Sequence, residues 1–211
     1  MLNIRTETPA DYRAVEELTR RAFYNIHAPG CTEHYLVHTM RSHPDFIPEL
    51  ALVAEEDGGI VGNVMYTKSR LTDDRGEEKT ILTFGPISVE PGRQRQGIGK
   101  AMLEESFRRA IDLGYDAIVI FGSPVNYVAR GFQSCKKFHV SVEGGKFPAA
   151  MMVKELVPGA LGGRHWVYRE SPAMEFSEEE ARRYDDTLPP MEKKWLPSQE
   201  EFYIMSRSSV K

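Results

Sequence analysis

Residues 93–100, Arg-Gln-Arg-Gln-Gly-Ile-Gly-Lys, constrain the fold more than any other stretch. An apolar, strand-like run, residues 81–89, precedes them. A helical pattern follows, with Leu103, Phe107, Ala110 and Gly114 spaced four, three and four residues apart. A strand, a glycine-bearing turn and a helix start together build an anion site. The first N–H groups of a helix lack intrahelical partners, and the helix dipole adds to their pull on negative charge. Gly97 and Gly99 carry no β-carbon, so a phosphate can approach the main chain. Arg93, Arg95 and Lys100 bring positive charge, and arginine grips phosphate with paired hydrogen bonds.

The spacing selects among phosphate ligands. A Walker loop needs Gly-x-x-x-x-Gly-Lys-Ser/Thr, and a dinucleotide fingerprint needs Gly-x-Gly-x-x-Gly. Gln94-x-x-Gly97-x-Gly99 fits neither. It resembles instead the pyrophosphate loop of the GNAT superfamily of acetyl-CoA-dependent N-acetyltransferases, Gln/Arg-x-x-Gly-x-Gly/Ala.

The rest of the chain is consistent with that order. Residues 2–6 read as a first strand. Thr8-Pro9-Ala10-Asp11 reads as a helix start with a capping box, and Val15, Leu18 and Ala22 mark one face of the helix behind it. Residues 24–49 are less regular. Their histidines, His27, His34, His38 and His43, invite a metal reading. Only His34 and His38 stand one helical turn apart, with no carboxylate or Cys at zinc-like spacing, so no metal is expected. Residues 50–54, 60–66 and 80–89 read as three adjacent antiparallel strands, the first two joined at Asp57-Gly58-Gly59. A helix over residues 98–113 ends at Gly114, and residues 116–122 form a buried, β-branched strand.

Gly122-Ser123-Pro124-Val125-Asn126-Tyr127 then leads to Gly131-Phe132. This is similar to a second GNAT motif, Gly-x-Pro-x-Tyr-Tyr-x-x-x-Gly-Phe, with Asn126 in place of the first Tyr. Residues 147–156 resemble the late strand that closes the domain. The resemblance implies an α/β (α+β) fold. Its central, mixed, mostly antiparallel sheet is splayed at the cofactor site and flanked by helices. It covers residues 1–156. Residues 157–211 read as an extension packed on the core or on a partner subunit. A loop opens it, residues 166–168 offer a strand, and Ser177 caps a helix. Trp195, Phe202, Tyr203, Ile204 and Met205 are too apolar to be left in water.

A net charge of −4 over 211 residues argues against a nucleic-acid binder. The two cysteines, Cys31 and Cys135, form no disulfide framework. No apolar segment approaches the roughly 20 residues of a membrane span, and no signal peptide is seen. A cytoplasmic protein is expected, free of nucleic acid and membrane, with a homodimer left open.

Acetyl transfer from acetyl-CoA to an amine requires four things: a held thioester, a donor for its carbonyl, loss of an amine proton and stabilisation of the departing thiolate. The resemblance gives Ile87, Ser88 and Val89 to the acetyl and pantetheine end. It gives Gln94, Arg95, Gln96, Gly97, Ile98, Gly99 and Lys100 to the pyrophosphate, and Asn126 and Tyr127 to the cofactor arm. Tyr127 is also the implied acid for the thiolate. The acceptor is a small-molecule or peptide amine. The base is open among Glu33, His34, Glu49, Ser88 and a water chain. A non-catalytic CoA-binding module of the same fold is the alternative.

Overall fold

The computed structural model describes residues 1–211. β1 (Asn3–Thr6) leads into α1 (Tyr12–Phe23) and α2 (Glu33–Met40). β2 (Leu52–Glu56), β3 (Gly59–Asp73) and β4 (Glu78–Val89) follow as a meander. α3 (Ile98–Asp112) returns the chain to β5 (Ala117–Phe121). The short α4 (Pro124–Tyr127), β6 (Gln133–Ser134), β7 (Val140–Ser141) and β8 (Met151–Glu155) come next. β9 (Trp166–Arg169), α5 (Glu178–Asp185) and α6 (Pro197–Arg207) complete the chain.

One sheet holds all nine strands in the order β1-β2-β3-β4-β5-β8-β6, with β9 on β3 and β7 on β9. Only β4–β5 and β7–β9 are parallel. α3 covers one face, where Val64, Tyr66, Leu82, Phe84, Ile118 and Ile120 pack against Met102, Leu103 and Phe132. α1 and α2 cover part of the other face over Val53 and Met65. Further along that second face, Leu71, Ile81, Val119 and Met151 pack under Trp166 and Tyr168.

The first helix opens on the capping box read from Thr8 and Asp11, with a tighter first turn. Thr8 donates both its N–H and its hydroxyl to Asp11 Oδ2, each at 2.8 Å, and Arg5 clamps the same carboxylate at 2.7 Å. The first turn, Pro9–Asp11, is a 3-10 turn, and α1 proper starts at Tyr12. β3 runs well past the expected residue 66. Thr67 and Ser69 are polar yet buried, while Lys68 and Arg70 face water. That alternation is what a strand with one solvated face produces.

Residues 157–211 are tied into the rest of the molecule. β9 pairs with β3, Leu71 opposite Tyr168. The buried Asp185 accepts from Arg20 Nε at 2.7 Å. The strap between α5 and α6 bonds to the α1–α2 loop, with Tyr24 donating to the Met191 carbonyl and Asn25 Nδ2 to the Glu192 carbonyl, both at 2.9 Å. Beyond α6, Ala149 N–H donates to the Ser208 carbonyl and Val210 N–H to the Phe147 carbonyl. Trp195, Phe202, Tyr203 and Ile204 remain exposed.

Candidate active site

The sheet opens between β4 and β5. Their pairing is confined to Leu82 opposite Ile118, although β4 continues to Val89 and β5 to Phe121. The cause lies in β4. Val64 and Tyr66 of β3 stand opposite Ile87 and Phe84, so β4 carries one extra residue at Gly85-Pro86. Such a bulge bends the strand, and Pro86 has no N–H to offer a neighbour.

Beyond the bulge the main chain of β4 alternates. Glu90 N–H donates to the Val61 carbonyl on β3. The period of two therefore turns the main chain of Ser88 toward β3 as well, and that of Ile87 and Val89 toward the gap. Gln94 Nε2 reaches the Val89 carbonyl at 3.2 Å from that side. Ser88 turns its side chain away from the gap too: its hydroxyl donates to Thr19 Oγ1 at 3.1 Å, and Thr19 donates on to Asn63 Oδ1 at 3.3 Å.

The loop after β4 lies at the head of the gap. Arg95 and Gly97 take left-handed backbones, φ +63° and +90°. Open space surrounds the position of a β-carbon on Gly97, so glycine is needed there for its backbone, not for room. Gly97 is the N-cap of α3, and no side chain caps the helix. Ala101 makes the first intrahelical bond, to the Gly97 carbonyl. The N–H groups of Ile98, Gly99 and Lys100 stay free for an anion. Arg93 pairs with Glu56, and Lys100 with Glu104 at 3.7 Å. Arg95 is exposed and without an ion-pair partner. Gln96 donates to the Gly92 carbonyl at 3.3 Å.

α4 sits at the end of β5, with Asn126 exposed. The Tyr127 ring packs against Phe84 and Phe132, at 5.7 and 5.9 Å between centroids. Burial pushes its phenol up to about 12, so it is protonated at neutral pH.

The histidines and acids of the first half are scattered. His27 Nδ1 meets Glu33 at 2.8 Å, and burial holds the His34 imidazole below its ordinary value, against the pull of the Asp185 carboxylate 3.3 Å from Nε2. Glu33 also accepts from Cys31 and from Thr32 N–H. His38 meets Glu16, and His43 lies 3.8 Å from Asp45. Glu49 shares a surface hollow with Thr6, Arg109 and Asp112, at the C-terminal end of α3. That is a helix length of roughly 22 Å from the glycine loop.

Sequence reasoning missed what crosses the second face of the sheet. Tyr168 donates to or accepts from Thr83 Oγ1 at 2.6 Å, and its ring lies 5.9 Å from that of Phe121. The residues after β9 then pass over the face to Ala173, which packs with Met65, and Met174, whose Cε is 3.8 Å from the β-carbon position of Gly85. The alternation of residues 166–170 was the available signal, but a single aromatic strand in a late segment names no neighbour.

Comparison with known proteins agrees with this architecture. The sequence model of the acetyltransferase (GNAT) family matches residues 20–135. The chain belongs to that family. It is 24% identical over 128 residues to the uncharacterized N-acetyltransferase YjhQ of Escherichia coli K12, covering 60% of this chain. It spans 66% of that relative's length, just under two thirds. Among solved structures it resembles the GNAT family N-acetyltransferase YhbS of Escherichia coli, in complex with CoA. The TM-score is 0.71 at 24% identity, over 83% of this chain and 93% of that one. A GNAT family acetyltransferase of Brucella melitensis in complex with acetyl-CoA gives 0.65 at 24% identity, over 83% and 99%. These likenesses show a shared fold.

Proposed function

We propose that the protein is an acetyl-CoA-dependent N-acetyltransferase that moves the acetyl group to a primary amine by direct attack in a ternary complex. The observation that carries this reading is the uncapped start of α3, held open by Gly97 at the head of the gap between β4 and β5. In this reading the free N–H groups of residues 98–100, with Arg95, bind the pyrophosphate. Gln94, Gln96 and Gly99 shape the cradle, and Ile87 and Val89 present main-chain groups to the acetyl and pantetheine end. Asn126 lies beside the arm. Ser88 braces β4 against α1.

Tyr127 protonates the departing thiolate. A thiol leaves readily, so this help is modest but real. Its phenol is protonated, stands at the end of β5 and has no protein hydrogen bond, which favours an enzyme over a silent binding module. The free thiols Cys31 and Cys135 suit a reducing compartment such as the cytoplasm. No helix is long and apolar enough to cross a membrane. The test is CoA-thiol release from acetyl-CoA with a panel of primary amines. CoA binding without turnover of any amine would favour the binding module.

A further inference from the structure

The mechanism above leaves the amine's proton without a destination. The crossing after β9 supplies one. Trp166 and Tyr168 face the second side of the sheet, and alternation puts Glu170 on that side as well. Leu71 pairs with Tyr168 and Arg70 with Arg169, so the register carries Glu170 level with Ser69. Ser69 Oγ lies in reach of the Tyr168 hydroxyl, and, one step further along β3, Thr67 Oγ1 is a fully enclosed side-chain hydroxyl without a hydrogen-bond partner, on a residue 0% exposed. Buried polar atoms left single are rare and point to a missing partner. Both hydroxyls lie on the face where Tyr168 touches Phe121, at the end of β5, and where Met174 touches Gly85, at the bulge of β4.

We infer that Glu170 is the base that takes the proton of a cationic primary amine, bound on this hydroxyl-bearing face with Glu175 sharing its charge. The inference rests on the acetyl-transfer reading and deepens it. Glu170 keeps access to solvent, yet surrounding protein and the Glu175 carboxylate lift its pKa above the ordinary carboxylate value. The other titratable groups near it are Tyr168, two residues earlier in β9, and Asp45, which accepts from the next residue, Ser171, at 2.7 Å. In the reaction, the ammonium gives one proton to Glu170. The free amine attacks the thioester carbonyl, a C–N bond forms and the C–S bond breaks. Tyr127 supplies a proton to the thiolate, the second N–H proton, leaving as the amide forms, passes through water to restore the Tyr127 phenol, and Glu170 returns its proton to water. The sum is R–NH₃⁺ and acetyl-CoA giving the acetamide, CoA and one proton.

The experiment compares the parent with Glu170→Gln and Glu170→Asp. It uses thiol release with 1,4-diaminobutane, a lysine peptide and benzylamine, beside CoA binding by calorimetry. Glu170→Gln should lower kcat/KM for the best amine about a hundredfold at neutral pH. The loss should shrink as pH approaches the amine's own pKa of about 10, where free amine no longer needs a base. Glu170→Asp should recover part of the rate, and CoA affinity should stay within about twofold. Glu170→Gln turnover within twofold of the parent across that pH range overturns the inference. So does a panel with no substrate when diaminobutane also gives no heat with the CoA-loaded protein. Failure of the parent to bind CoA would instead remove the acetyl-transfer reading, and this inference with it.

Discussion

The ring of Tyr127 lies against Gly122: a β-carbon on Gly122 would stand 2.6 Å from Tyr127 Cε2. The absence of a side chain at the end of β5 is therefore what seats the proposed acid. Tyr127→Phe keeps the ring and deletes the hydroxyl. It should lower kcat about a hundredfold, the low end for general-acid catalysis, because a thiolate leaves easily. CoA affinity should move by less than about tenfold. Gly122→Ala should displace the ring and lower kcat while leaving Tyr127 in the chain. Steady-state turnover beside calorimetry checks both; normal turnover of a folded Tyr127→Phe would make Tyr127 structural.

The phenol itself gives a spectroscopic check. Burial lifts it to about 12, against 10 for the free side chain. The difference in phenolate absorbance between the parent and Tyr127→Phe should rise with a midpoint near 12. A midpoint near 10 would mean that the ring is solvated.

Arg20 and Asp185 form a buried ion pair between α1 and α5, 165 residues apart in sequence, and His34 Nε2 lies 3.3 Å from the same carboxylate oxygen. Asp185→Ala leaves the Arg20 charge buried and unpaired. Breaking such a pair costs about 3–5 kcal/mol, to be read from denaturant unfolding. Cutting the chain after Leu156 removes this pair and β9 together, so residues 1–156 should aggregate or melt earlier than the whole chain. A soluble fragment of equal stability would make residues 157–211 a separable appendage.

Glu105 accepts from Arg108 and Arg109, and the two guanidinium groups hold its carboxyl down to about 2, from an ordinary 4.5. A lowered folded pKa contributes stability above the unfolded value, and that stability is lost as pH falls through the folded one. The parent should therefore be more stable than Glu105→Gln above about pH 4.5. The gap should close between 4.5 and about 2. Thermal melts across that range measure it, and a gap independent of pH would contradict the pairing.

Much of the architecture was legible because its signals are local. The strand–glycine–helix order around Gly97, the turn at Asp57-Gly58-Gly59 and the buried run of residues 117–121 each follow from neighbouring residues. β3 was cut short in the sequence because Thr67 and Ser69 are polar, and only the fold shows their burial. α2 was hidden by the histidines and prolines around it. Glu170 could not be singled out at all. Its setting comes from β9 pairing with β3, almost 100 residues earlier in the chain, and from Met174 lying over Gly85. The apolar residues of α6 pointed to burial, yet Tyr203 and Ile204 are exposed: the helix is held mainly through Gln199 Nε2 donating to the Asn25 and Lys194 carbonyls and by Phe202 stacking on His27.

The central claim is that CoA binds at the glycine loop, and calorimetry of CoA with the parent, Gly97→Glu and Gly97→Ala tests it most directly. Both substitutions strain the left-handed backbone at φ +90° by a similar amount, but only glutamate places a carboxylate where the pyrophosphate belongs. CoA should bind the parent, and Gly97→Glu should weaken it at least about tenfold, roughly 1.4 kcal/mol, and more than Gly97→Ala does. Unchanged CoA affinity in a folded Gly97→Glu protein would contradict the account and move the cofactor elsewhere.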